Sequence, residues 1–181
     1  MVSIPFPNNK RNINKDNAGL IPPQNIQAEE SVLGGILLDP DAIGRIADLL
    51  RPEAFYISAH QEIYRTALML HTQGKPTDLT SMSAWLADNG TLEKIGGNNK
   101  LVELVENVSS TASIEQVASL ISDKFLRRQL IRSGNEVIEL GFDQSQATDE
   151  VLDKAEQKIF EISQEKPSKG LTQASEILTS T

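Results

Sequence analysis

Residues Ser113 to Gln164 constrain the fold more than any other stretch. They hold two helical patterns, Ile114 to Leu140 and Asp149 to Ile162, joined by Gly141-Phe142-Asp143-Gln144-Ser145-Gln146. In the first, Ile114, Val117, Ala118, Ile121 and Phe125 recur at helical spacing, and Leu126, Leu130, Val137, Ile138 and Leu140 form a second set. Two sets that drift around one helix predict packing on more than one side. Ser113 is placed to accept a bond from an orphan amide of the first turn. Gly141 is placed to end the helix in the left-handed conformation. The second pattern carries Leu152, Ala155, Ile159 and Ile162 on one stripe. A short connection between two such helices predicts an antiparallel αα-hairpin. Its two faces need two covers: its own domain on one, another chain on the other.

The residues before the hairpin read as a helical head over 22–108. Asn25 caps a first helix over Ile26 to Leu38, whose Gly34-Gly35 pair costs about 1 kcal/mol per glycine relative to Ala. Close approach of another helix offsets that cost. Asp39-Pro40-Asp41 separates it from a helix over Ala42 to Leu50. Ser58 caps a helix from Ala59 to Thr72, and Asp78 caps one from Leu79 to Asp88. Gly96-Gly97 opens a last helix through Leu101, Leu104 and Val105. No strand-like alternation occurs, so the predicted class is all-α: a globular helical head, a long antiparallel αα-hairpin over 109–164, then a linker. Residues 1–21, rich in Asn, Pro and Lys without periodicity, read as a disordered arm. Residues 165–181 read as a polar linker and the start of a further helix.

Several functions are excluded or disfavoured. No run of about 18 apolar residues exists, so no membrane span is expected. The chain has no cysteine, hence no disulfide framework and no thiolate metal site. A net charge of -8 argues against tight non-specific binding to nucleic acid. Gly96-Gly97-Asn98-Asn99-Lys100 lacks the spacing and the hydroxyl residue of a phosphate loop, and no strand precedes it. His60 and His71 are not at metal-ligand spacing. No catalytic residue, bound cofactor or metal ligand is expected. Lys124, Arg127, Arg128 and Arg132 form one basic stripe on the long helix. It suits contact with nucleic acid or an acidic partner. Pairing with Asp153 and Glu156 on the facing helix, or plain solvation, accounts for it equally simply and is the preferred reading.

Taken together, the run Ile21-Pro22-Pro23-Gln24-Asn25-Ile26-Gln27-Ala28-Glu29-Glu30-Ser31-Val32-Leu33-Gly34-Gly35-Ile36-Leu37-Leu38-Asp39 resembles the opening of bacterial replicative DNA helicases of the DnaB type. Further stretches resemble that family in order: Phe55-Tyr56 with His60, Gly74-Lys75-Pro76-Thr77-Asp78-Leu79, Gly96-Gly97 with Leu101 and Leu104, Ser109 to Ile114, and Arg127-Arg128 with Gly141-Phe142-Asp143. The resemblance covers residues 20 to 164. It implies a collar domain that assembles through heads and hairpins into dimers, a trimer of dimers and a hexamer, and that docks primase. A helicase loader is a further partner of the family. ATP, Mg and single-stranded DNA belong to a C-terminal RecA-type ATPase domain that these residues do not include. The chain is then expected to be either a piece of a helicase or a truncated relative that still assembles. Its expected location is the cytoplasm, or the plastid stroma if organellar. Phe125, Leu130, Ile131, Val137 and Val151 are the expected self-association and primase contacts, with intrachain core as the competing assignment. The alternative function is a stand-alone helical adaptor without a replication role.

Overall fold

A computed structural model describes residues 20–108 and 113–164. The segment 109–112, the linker over 165–181, and all but the last two residues of the arm lie outside them. The described residues contain seven α-helices and no strand: α1 Ile26–Leu38, α2 Ala42–Ile46, α3 Ser58–Thr72, α4 Leu79–Asp88, α5 Gly97–Glu106, α6 Ile114–Phe142 and α7 Thr148–Gln164. Short 3₁₀ turns at Pro52–Ala54 and Glu93–Ile95 complete the head.

The core is built around α1. Asn25 caps it, its side-chain oxygen accepting from the Ala28 amide at 3.1 Å. Val32, Leu33, Ile36 and Leu37 are then buried, which fits an apolar run with neighbours on several sides. Ile63, Tyr64 and Leu70 of α3, Met82 and Leu86 of α4, Leu101 and Leu104 of α5, and Val117, Ala118 and Ile121 of α6 complete the same core. Full burial of each of these larger apolar side chains contributes about 1.5–3 kcal/mol.

Gly34 permits the closest approach. A Cβ there would lie 2.2 Å from the Leu104 carbonyl oxygen and 2.4 Å from Val108 Cγ2. Gly35 departs from expectation. Its nearest neighbour would be Ile114 Cδ1 at 3.4 Å, an ordinary contact. Only one glycine of the pair is required by packing.

Three local expectations are corrected. The helix over Ala42 to Leu50 stops at Ile46, whose carbonyl accepts from Leu49 and Leu50 at 2.9 and 3.0 Å. Gly44 weakens this helix, and Arg51, preceding Pro52, is pushed to extended backbone. Ser58 is not a cap but the first residue of α3, and Ile57 stands at the cap position without a side-chain bond. Gly141 does not end α6. The helix continues to Phe142, and Asp143 takes extended backbone instead. Asp78 and Ser113 do cap: Asp78 Oδ1 accepts from the Thr80 and Ser81 amides at 2.9 and 3.0 Å, Ser113 Oγ from Gln116 at 3.4 Å.

The entry to α3 is instead held from α1. Glu29 is buried, and its carboxylate accepts from the Tyr56 amide at 2.6 Å, the Ile57 amide at 3.4 Å and His60 Nδ1 at 2.8 Å. His60 is therefore an inward side chain at the α1–α3 crossing. From the sequence, its spacing from His71 spoke only against a metal site. A carboxylate so placed requires a proton on Nδ1, and His60 Nε2 is buried without a partner.

Candidate assembly and docking surface

The first turns of α6 belong to the head, where Val117, Ala118, Ile121 and Ser122 are buried. Phe125 is half-buried against the same core. Arg128 marks where the helix leaves it. Its guanidinium donates to the Pro23 carbonyl at 2.8 Å and the Ala54 carbonyl at 2.6 Å. It also lies 5.6 Å from the Tyr56 ring centre and 5.8 Å from that of Phe125. Burial lowers its pKa from the ordinary arginine value, while the charge of Glu29 opposes that shift.

The basic stripe is thereby divided. Arg128 turns into the head–hairpin junction. Arg127 pairs with Asp123 at 2.9 Å along the helix, and Lys124 lies 3.9 Å from the same carboxylate. Arg132 makes no ion pair among the described residues. The expected pairing with Asp153 and Glu156 does not form. The pair that crosses the hairpin is Lys158 with Glu136, because Lys158 shares the α6-facing side of α7 with Val151, Ala155 and Ile162, while Asp153 and Glu156 are exposed.

Beyond Arg128 the hairpin is thin. α7 packs on α6, and no residue of α7 is buried. Val151, Ala155 and Ile162 are half-buried. A second apolar row stays in solvent: Leu152 is 62% exposed, Ile159 46% and Phe160 61%. With Gly134, Val137 and Ala155, these side chains line a groove of about 670 Å³ along the two helices. Of the residues expected to make intermolecular contacts, Val137 lines this groove and Val151 is half-buried beside it. Leu130 and Ile131 are exposed at 55% and 49%. Phe125 is apart from them, at the head. Phe160, Ile138 and Phe142 are exposed apolar residues that the sequence reading did not single out for contact.

The hairpin tip is held by Asp143. Its Oδ1 accepts from the Ser145 hydroxyl at 2.6 Å and the Ser145 amide at 3.0 Å, and its Oδ2 from Gln146 Nε2 at 2.5 Å. These bonds, the Ser145 hydroxyl first, bring its pKa from 3.8 down to about 2. A lowered carboxylate stabilises the fold above its ordinary pKa and loses that contribution as pH falls through about 2. Carboxyl-detected NMR is expected to show Asp143 titrating near about 2, with the Ser145 amide shift following it. In Ser145→Ala the midpoint moves up towards the ordinary value. An Asp143 midpoint at that ordinary value in the unsubstituted chain contradicts the tip geometry.

The family model described as the DnaB-like helicase N terminal domain matches residues 21–123. The chain belongs to this family. The DnaB-type match covers α1 to α5 and the head-bound turns of α6. Beyond it, the replicative DNA helicase DnaB of Nostoc sp. is 53% identical over 163 residues, which is 90% of this chain and 18% of that protein. The chain thus spans about a fifth of that relative's length. The crystal structure of the N-terminal domain of DnaB helicase from Mycobacterium tuberculosis aligns with a TM-score of 0.71 at 39% identity, covering 78% of this chain and 99% of that one. A structure titled as a DnaB-like replicative helicase and its interactions with primase aligns at 0.65 and 31% identity, over 76% of this chain and 31% of that one. The all-helical class expected from the residues and from the DnaB resemblance is thus established.

No helix of the described residues is long and apolar enough to cross a membrane.

Proposed function

We propose that these residues form the collar module of an ATP-driven replicative DNA helicase, joining subunits through the hairpin and receiving primase. One observation carries this reading: α7 buries no residue in its own chain, yet presents Leu152, Ile159 and Phe160 along a groove. Contiguous exposed apolar surface of this kind marks a protein interface. The family membership and the primase named with one structural relative support the choice of partners. Leu130, Ile131 and Val137 belong to the interface, and Lys124, Arg127 and Arg132 lie on the same long helix as a basic margin for an acidic partner. Phe125 is assigned to the head core and Val151 to the packing of α7 on α6. ATP, Mg and single-stranded DNA are handled by an ATPase domain outside these residues, joined through the linker, in the cytoplasm. The ring is a hexamer built as a trimer of dimers, and a loader acts on it.

The test is sedimentation of the chain mixed with the helicase-binding domain of a bacterial primase, with Val137→Asp as comparison. A shift to a heavier species that weakens in the variant is the expected result. An unshifted boundary at tens of micromolar, or a variant that binds equally well, removes primase docking from these residues.

A further inference from the structure

One helix, α6, serves both parts of the molecule: its first turns lie in the head and its last half lines the exposed groove. Phe125 is the last of its apolar side chains packed on the head core, and Arg128 stands about one turn further on. Arg128 ties that turn to two segments remote in sequence. Its guanidinium donates to the carbonyl of Pro23, ahead of α1, and to that of Ala54, in the 3₁₀ turn. Tyr56 and Phe125 flank it. Residues 54–57 are gripped from α1 as well, because Glu29 accepts from the Tyr56 and Ile57 amides. Polar contacts thus join α1, the 3₁₀ turn and α6 at the point where α6 leaves the head. A planar fork of N–H donors can hold two separate carbonyls at once, and an ammonium, a compact point charge, does not replace it. From Arg128 to Phe142 the helix runs about 21 Å, so a swing of about 10° at Arg128 moves the hairpin tip by about 4 Å.

We propose that Arg128 is a positioning residue: its two carbonyl contacts fix the angle at which the hairpin leaves the head, and with it the angle at which the uncovered row of α7 meets another chain. The second half of this statement rests on the assembly role proposed above. A closed ring needs its interfaces to repeat at a fixed rotation. A hairpin that swings presents its apolar row at many angles and must be ordered on association, which weakens binding without removing any interface contact.

The chain has no cysteine, so Gln73→Cys at the end of α3 and Gln144→Cys at the hairpin tip, both exposed, accept a pair of nitroxide labels. Double electron–electron resonance then reads the head-to-tip distance, at a concentration where the chain sediments as a monomer. The parent is expected to give one narrow distribution. In Arg128→Ala it broadens by about 4 Å or more. Arg128→Lys keeps the charge and the stem but not the fork, and its distribution falls between the two. A pair wholly within the head, Gln73→Cys with Glu103→Cys, stays narrow in both variants, which separates lost positioning from a loosened head. Where Arg128→Ala does not fold, Arg128→Lys is read against the parent alone. Sedimentation of the unlabelled variants is expected to show self-association weakened about tenfold in Arg128→Ala. Head-to-tip distributions as narrow in the variants as in the parent overturn the proposal. Broadening with unchanged self-association overturns the part of Arg128 in assembly. Broadening in a chain that never self-associates upholds the fixed angle and removes the assembly function instead.

Discussion

Gly34→Ala is expected to lower the melting temperature by about 6–12 °C, whereas Gly35→Ala leaves it unchanged or raises it. The two glycines are adjacent in α1 and have opposite surroundings. The new methyl at Gly34 meets the Leu104 carbonyl at 2.2 Å. A main-chain oxygen cannot rotate aside, so α1 and α5 must separate. Overpacking of this kind costs about 1–3 kcal/mol, and a backbone clash belongs at the upper end. For a domain of this size each kcal/mol shifts the midpoint by about 2–4 °C. At Gly35 the methyl meets only Ile114 Cδ1 at 3.4 Å. The helix-propensity gain of up to about 1 kcal/mol is then retained. Thermal unfolding by circular dichroism separates the cases, and equal losses in both variants contradict the assigned crossing.

Glu29→Ala is the second large effect. The carboxylate is buried and accepts from the Tyr56 and Ile57 amides, just before α3, and from His60. Its removal leaves the Tyr56 and Ile57 amides and the imidazole without their acceptor. Leaving a buried donor without its acceptor costs about 1–3 kcal/mol per group. Glu29→Gln keeps one acceptor oxygen for the amides, and His60 Nδ1 can change from donor to acceptor, so a smaller loss is expected. Denaturant unfolding measures both. If Glu29→Ala unfolds at the same midpoint as the parent, the carboxylate does not hold α3 as the geometry requires.

The sequence made some of this plain and hid the rest for physical reasons. Asn25, Asp78 and Ser113 were readable as caps because capping is local: the side chain bonds amides two or three residues away. The entry to α3 was not, because Glu29, which holds it, lies twenty-seven residues before Tyr56. Glu29 looks like any acidic first-turn residue until α3 is placed against it. The hairpin was legible from its two periodic segments, but not which side of α7 it leaves open. Side chains project at about 100° intervals around a helix. Val151, Ala155 and Ile162 cluster on one side, with Leu152, Ile159 and Phe160 beside them. Reading Leu152, Ala155, Ile159 and Ile162 as one stripe merged two rows, only one of which α6 covers. The width of that apolar arc was the available signal. Arg128 was hidden in the same way, since nothing local distinguishes it from Arg127. Only the approach of the Pro23 and Ala54 carbonyls selects it.

The central claim is that the uncovered row of α7 is an assembly surface. Sedimentation equilibrium of the chain beside an Ile159→Asp/Phe160→Asp variant tests it most directly. Both side chains are exposed in the single chain, so the double substitution should leave the melting temperature within a few degrees of the parent. The chain is expected to associate with rising concentration, and the variant to lose at least about 2 kcal/mol of association, some thirtyfold in Kd. A variant that associates as tightly as the parent would place the interface elsewhere and contradict the account.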